Sequence, residues 1–357
     1  MREVIGIAGT AKNTGKTTTL QAVAAFLRAR RVPLFLTSIG YDGEDLDNVT
    51  GLPKPKVTVE EGDQVATALP LLERSAARFS GFVDTGVKCA LGPVYYATAT
   101  HPGRVVVAGP ASTQEVSEIL DVAPAERTVL LDGALSRLAP LSLATSLIIA
   151  TGAARSEDPR FLSKELRGIS AVMSLPRWSP SRTTGVKVPG GLYAAGSEAF
   201  IPGLLRTQYG RLDSRPPKGR VRVDVEGPVN PQILLSLVSA LEDVPVKASF
   251  VANHPVDLLL SGDPTAWPAV MSEVVSTGHA LSVRRPARLL GFTINPYLPR
   301  FDRERGYYRA DQVPARPFLD AVRAGVEAPC TDIVLEGRGL LEEWLSTLTF
   351  APVSANV

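Results

Sequence analysis

Apolar and polar positions along the first 155 residues alternate between two periods. Val4-Ile5-Gly6-Ile7-Ala8 is a continuous apolar run, the pattern of a strand buried on both faces of a parallel sheet. After a glycine-containing break, Leu20, Val23, Ala24 and Leu27 recur at helical spacing. Arg28, Arg30 and Arg31 close that segment, where positive charge suits the end of a helix. Val32–Ile39, Arg104–Gly109, Thr128–Leu131 and Ser146–Thr151 read as further strands, and Ser112 with Glu115 forms a capping box for a helix through Leu120. Strands alternating with helices predict an α/β fold, a doubly wound and mainly parallel sheet over residues 1–155.

Past that point the pattern changes. Pro159–Met173 reads as a helix with Phe161, Leu162, Leu166 and Ile169 on one face, and Ser179–Gly191 as a linker, so 156–189 is expected to be helix plus connection. Val221–Val225 alternates as a strand, Ile233–Leu241 is helical and Val246–Val251 is strand-like. These predict a second, smaller α/β domain over 190–357, with a partner-binding role open to it. Gly291–Pro296 is expected to end a strand in a turn without chemistry, and Arg300–Arg309 to be a solvated loop.

Composition narrows the classes. Hydrophobic residues at 45% and charged residues at 21% describe a globular chain, and a net charge of +2 argues against a partner chosen by charge, whether nucleic acid or anionic membrane. Cys89 and Cys330 form no C-x-x-C and read as reduced core thiols. His101, His254 and His279 show no metal-ligand spacing. Met1 leads straight into a strand and no apolar run suits a bilayer, so the cytoplasm is the expected compartment.

Candidate chemistry sits in the break after the first strand. Gly9-Thr10-Ala11-Lys12-Asn13-Thr14-Gly15-Lys16-Thr17-Thr18 departs from G-x-x-x-x-G-K-[ST] by one residue, with Thr10 at the first glycine position. In such a loop backbone N–H groups curl around phosphate oxygens, Gly15 permits close approach, Lys16 reaches the β/γ-phosphates and the Thr17 hydroxyl ligates Mg²⁺. Asp132, ending an apolar strand, has the position of a carboxylate facing Mg²⁺ across the loop threonine, or else caps the following turn. Asp42, Glu44, Asp45 and Asp47 follow the second strand. Asp42 is the first candidate there for a metal or water-orienting role and Glu44 the second, against a solvated acidic loop. Lys54 and Lys56 read as surface lysines around a turn proline. No N-K-x-D or T-K-x-D occurs, which favours ATP over GTP.

The G-T-x-x-x-x-G-K-T loop resembles that of dethiobiotin synthetase and its relatives, a class that includes MinD and the signal-recognition GTPases. Some members carry a second loop lysine five residues before the first. That position is Ala11 here, so Lys12 lies one place off. A longer set of segments resembles the P-loop subunit of the reactivase that accompanies B12-dependent lysine 5,6-aminomutase. It comprises Gly6–Thr17, Thr37–Gly40 with Asp42-Gly43-Glu44, Pro53–Lys56, Ala66–Ala68, Asp132–Arg137 and Ala150–Ala154. That resemblance implies ATP hydrolysis used to open the mutase and exchange damaged cobalamin, with a second reactivase subunit and the aminomutase as partners. A homo-oligomer stays open as well. A small-molecule ligase or kinase of the dethiobiotin synthetase type is the alternative. A metallochaperone-type NTPase ranks lower, because it predicts Cys/His ligands.

Overall fold

The computed structural model describes residues 2–40, 57–134, 139–179, 185–189, 220–242, 247–260, 262–303 and 306–350. Asp42, Glu44, Lys54 and Lys56 lie outside them. The described chain divides into two compact units. One comprises residues 1–163 and 289–357, and the other is the intervening segment 164–288. This differs from the expected division at 155 and 190: residues 190–357 are not a continuous domain, because their final segment belongs to the first unit.

In the first unit β1 (Val4–Gly9) is buried throughout. It lies between β8 (Thr128–Ala134) and β9 (Ser146–Gly152) and runs parallel to both. On the far side of β8 comes β2 (Leu34–Ser38), also parallel, then β4 (Gln64–Ala68), with β6 (Gly92–His101) and β5 (Arg78–Cys89) added antiparallel. Beyond β9 the sheet continues with β14 (Arg288–Asn295) and β17 (Cys330–Thr331), giving the order β17-β14-β9-β1-β8-β2-β4-β6-β5. The chain thus builds outward from β1 in one direction and later in the other, the reversal at which open α/β sheets commonly place ligands, at the carboxyl ends of the strands.

Helix α1 (Lys16–Ala29) packs Leu20, Val23, Ala24 and Leu27 inward, as its spacing predicts. It meets Leu341, Trp344 and Leu345 of a C-terminal helix (Gly339–Ser346) in one core cluster with Ile5, Ile7 and Leu130. Ser112 caps the helix Thr113–Val122 by accepting the Glu115 N–H at 3.2 Å.

Three expected elements come out differently. Gly185–Pro189, inside the 179–191 stretch expected as a linker, is a strand paired parallel with Arg220–Glu226 in the second unit. Of the 104–109 run only Arg104 and Val105 are strand, within β7 (Gly103–Val105), which pairs antiparallel with β3 (Val57–Val59). Past it the Thr67 hydroxyl takes over the backbone's hydrogen bonding, donating to Val106 O at 3.3 Å and accepting from Ala108 N–H at 2.8 Å. The 300–309 stretch is no loop: β15 (Tyr297–Asp302) and β16 (Tyr307–Gln312) form an antiparallel hairpin, with Phe301 against Tyr308 edge-on at 5.1 Å.

The second unit holds a parallel sheet in the order β10 (Gly185–Pro189), β11 (Arg220–Glu226), β12 (Lys247–Ala252), β13 (Ala280–Val283). Alternation along β11 puts Val221, Val223 and Val225 into its core. The buried Asp224 on the opposite face pairs with Arg222, at 2.9 Å, and with Arg284. His254 caps a short helix (Pro255–Leu259), its Nδ1 accepting the Val256 N–H at 3.1 Å. His279 Nδ1 accepts the Ala248 N–H at 2.9 Å.

Candidate functional site

The loop between β1 and α1 opens at the carboxyl end of the sheet, and its conformation is set by local chemistry. Asn13 and Gly15 adopt left-handed backbone, φ 64° and 85°. Asparagine and glycine are the residues that do so most readily. Thr14 is buried, and its hydroxyl donates to Ala11 O at 2.9 Å, folding the loop over Gly9. A side chain at Gly9 would meet that hydroxyl at 3.0 Å. Gly15 O accepts the Thr19 N–H at 3.0 Å as the first helical bond. The N–H groups of Lys16, Thr17 and Thr18 therefore form the open first turn of α1, where the macrodipole favours an anion.

Thr10 plays another part than its place in the motif suggests. Its N–H donates to Ala150 O at 2.9 Å and its hydroxyl to Thr151 Oγ1 at 2.7 Å, so it ties the loop's entry to the end of β9.

Asp132 lies level with Ile7 of β1 and Ser38 of β2 in the parallel register. Lys16 Nζ lies 3.0 Å from Asp132 Oδ1, with the two side chains 28% and 17% exposed. This is a contact of opposite charges without hydrogen-bond alignment, since the buried Oδ1 has no hydrogen-bonded partner among the described residues. The end of β2 is held alongside: Gly40 N–H donates to Pro110 O at 2.8 Å, and Gly109 passes so close to Ser38 O that a side chain there would overlap it. Thr17 is half-buried, and Lys12 in the loop and Thr18 in the first turn of α1 are exposed.

Three contributors escape a reading of the sequence. Asn295, at the end of β14, donates from Nδ2 to Asn13 O at 2.9 Å and packs against Gly15. The Asn295 carbonyl accepts the Ala153 N–H at 2.9 Å, past Gly152, where any side chain would strike it. Thr293 meets Thr19 hydroxyl to hydroxyl at 2.8 Å in the buried interior, and Thr151 anchors Thr10. A turn signal at Asn295-Pro296 marks the strand end but gives no hint of what it touches.

Both cysteines are free thiols; Cys330 is buried as a core thiol, whereas Cys89 is only half-buried at the end of edge strand β5 and is not the core residue expected. Burial pushes the Cys330 thiol up to about 12, against the lowering influence of Arg323. Among the described residues, no helix is long and apolar enough to cross a membrane.

No protein-family model matches the chain, and no curated protein matches it. Among solved structures it is similar to the MinC:MinD cell division protein complex of Aquifex aeolicus, at 13% identity and a TM-score of 0.26, over 99% of this chain and 98% of that one. A likeness at that level carries no weight for fold or function, so the site stands on its own geometry.

Proposed function

We propose that the chain binds ATP with Mg²⁺ at Gly9–Thr18 and hydrolyses it, and that it serves as the ATP-driven subunit of a reactivase for a B12-dependent aminomutase. The observation that carries the nucleotide reading is the meeting of three features at one strand end. A left-handed loop, an open helix N-terminus and the Lys16–Asp132 contact stand together where the central parallel strands finish. The N–H groups of the loop and of the first turn of α1 would take phosphate oxygens, and Lys16 would neutralise the terminal phosphates.

The donor set fits Mg²⁺. Asp132 Oδ1 is a buried carboxylate oxygen lacking a hydrogen bond, and Thr17 supplies a hydroxyl on the adjoining turn. When bound, the metal would neutralise charge on the phosphates. Asp42 is the proposed water-orienting residue. ATP is proposed over GTP because no N-K-x-D or T-K-x-D is present. The task of reactivation, with its second subunit and mutase as partners, rests on the sequence segments that resemble the reactivase subunit.

Calorimetry and turnover test both halves. Lys16→Ala should abolish tight Mg·ATP binding while leaving the fold intact, because the partly exposed lysine faces ligand instead of core. Unchanged affinity in the folded variant would remove the nucleotide site. Turnover stimulated by a cobalamin-dependent aminomutase, with release of bound cobalamin, is the expected result for a reactivase. A phosphorylated or ligated small molecule, with no response to the mutase, would replace that task with the ligase or kinase reading.

A further inference from the structure

We propose that the nucleotide-free chain holds its site in a self-paired state, so that capture of a divalent cation by Asp132 is conditional on a triphosphate drawing Lys16 away. This rests on the nucleotide reading above and concerns regulation of that same site. Lys16 Nζ sits 3.0 Å from Asp132 Oδ1, so the cation meant for phosphate and the carboxylate meant for metal occupy each other. Lys16 opens α1 and Asp132 lies in β8, two residues before the end of that strand, which runs beside β1. The Asp132 backbone is held in the sheet and the Lys16 backbone in the first turn of α1, so exchange of partners needs only side-chain rotation.

The pair resists being split by either half alone. Withdrawal of Lys16 without replacement would strand a carboxylate oxygen that has no hydrogen-bonded partner among the described residues. A divalent cation approaching without nucleotide would meet the Lys16 ammonium beside the carboxylate, and the two positive charges repel. A triphosphate removes both obstacles. Its oxygens offer Lys16 a replacement anion, and Asp132 is left facing a negative charge that it can share only through a cation. One ionic contact is lost and two are gained, with no covalent change. The partial exposure of both side chains keeps the original pair weak enough to exchange.

The test titrates Mn²⁺, whose free-ion spin-resonance signal disappears on binding, into the full chain without nucleotide. Wild type should take up Mn²⁺ weakly, and Lys16→Ala roughly two- to fivefold more tightly, the scale of one partly exposed ion pair. Lys16→Gln, which keeps the aliphatic stem, should do the same if Lys16→Ala proves unstable. A double-mutant cycle of Lys16→Ala and Asp132→Asn on urea unfolding without nucleotide should give non-additive losses. Equal Mn²⁺ uptake by wild type and the Lys16 variants, or additive losses, would overturn the self-paired state. Calorimetry of wild type with ATP separates the two failures. Absence of ATP binding removes the nucleotide site itself, whereas ATP binding with equal Mn²⁺ uptake removes only the pairing.

Discussion

Asn13 shows how a locally set conformation is supported by a distant residue. Its left-handed backbone turns its carbonyl toward Asn295, which holds it at 2.9 Å across a separation of 282 residues. Asn295→Ala deletes that hydrogen bond and the packing against Gly15. A hydrogen bond of ordinary net worth translates into a roughly two- to tenfold loss of Mg·ATP affinity, to be read by calorimetry. Full affinity in a folded Asn295→Ala chain would remove the asparagine from the loop's support. The contrast with Lys16 explains what the sequence can and cannot carry. Lys16, Thr17 and Asp132 stand out because glycine, lysine and threonine cluster within a strand–loop–helix order, and because an aspartate ends an apolar run. Asn295 belongs to no local pattern, and its role exists only once β14 has joined the sheet next to β9.

At the scale of elements, legibility followed burial on one or both faces. β1, β2, α1 and Pro159–Met173 bury a continuous or periodic apolar set, and their periods mark them. The β5–β6 hairpin has no such mark, because β5 is largely exposed at the sheet's edge and is interrupted by register shifts. The 297–312 hairpin hides for the same reason, since two strands bearing Arg, Asp and Tyr resemble a solvated loop in composition. The helix Pro255–Leu259 depends instead on its cap, where Asp257 Oδ2 accepts the His254 N–H at 3.1 Å. Burial pushes the Asp257 carboxyl from its ordinary 3.8 up to about 6, outweighing the lowering effects of the His254 backbone bond and of Arg285. The folded chain therefore binds more protons than the unfolded chain between those values. That contribution to stability is fully present below the unfolded value and is lost as pH rises through about 6. Asp257→Asn keeps an acceptor for the cap and removes the charge. Its urea midpoint should vary less than wild type's between about pH 4 and about pH 7, with the variant gaining on wild type toward neutrality. A difference that stays constant across the range would show that the buried charge is not what the pH changes.

At the scale of the molecule, the two ways of dividing the chain make opposite predictions. A linear reading places a self-sufficient domain before residue 155, whereas the structure completes that unit with residues 289–357. An insertion of this kind leaves no trace in periodicity, because each piece looks like ordinary strand and helix. The returning segment brings β14 against β9 and seats Leu341, Trp344 and Leu345 in the core around α1. It also supplies Thr293 to Thr19 and Asn295 to the loop. Losing three such buried side chains alone removes about 5–9 kcal/mol of apolar burial. That is comparable with the whole stability of a domain, about 5–15 kcal/mol. A fragment ending at Ser163 should therefore show no cooperative melting transition and no Mg·ATP binding, while the full chain shows both, by circular dichroism and calorimetry. The fragment would also expose the edge of β9, all of whose residues are buried in the intact unit, so aggregation should accompany its failure to fold. Cooperative melting of the fragment with full-chain affinity would mean that β14 and the C-terminal helix only decorate a unit already complete without them.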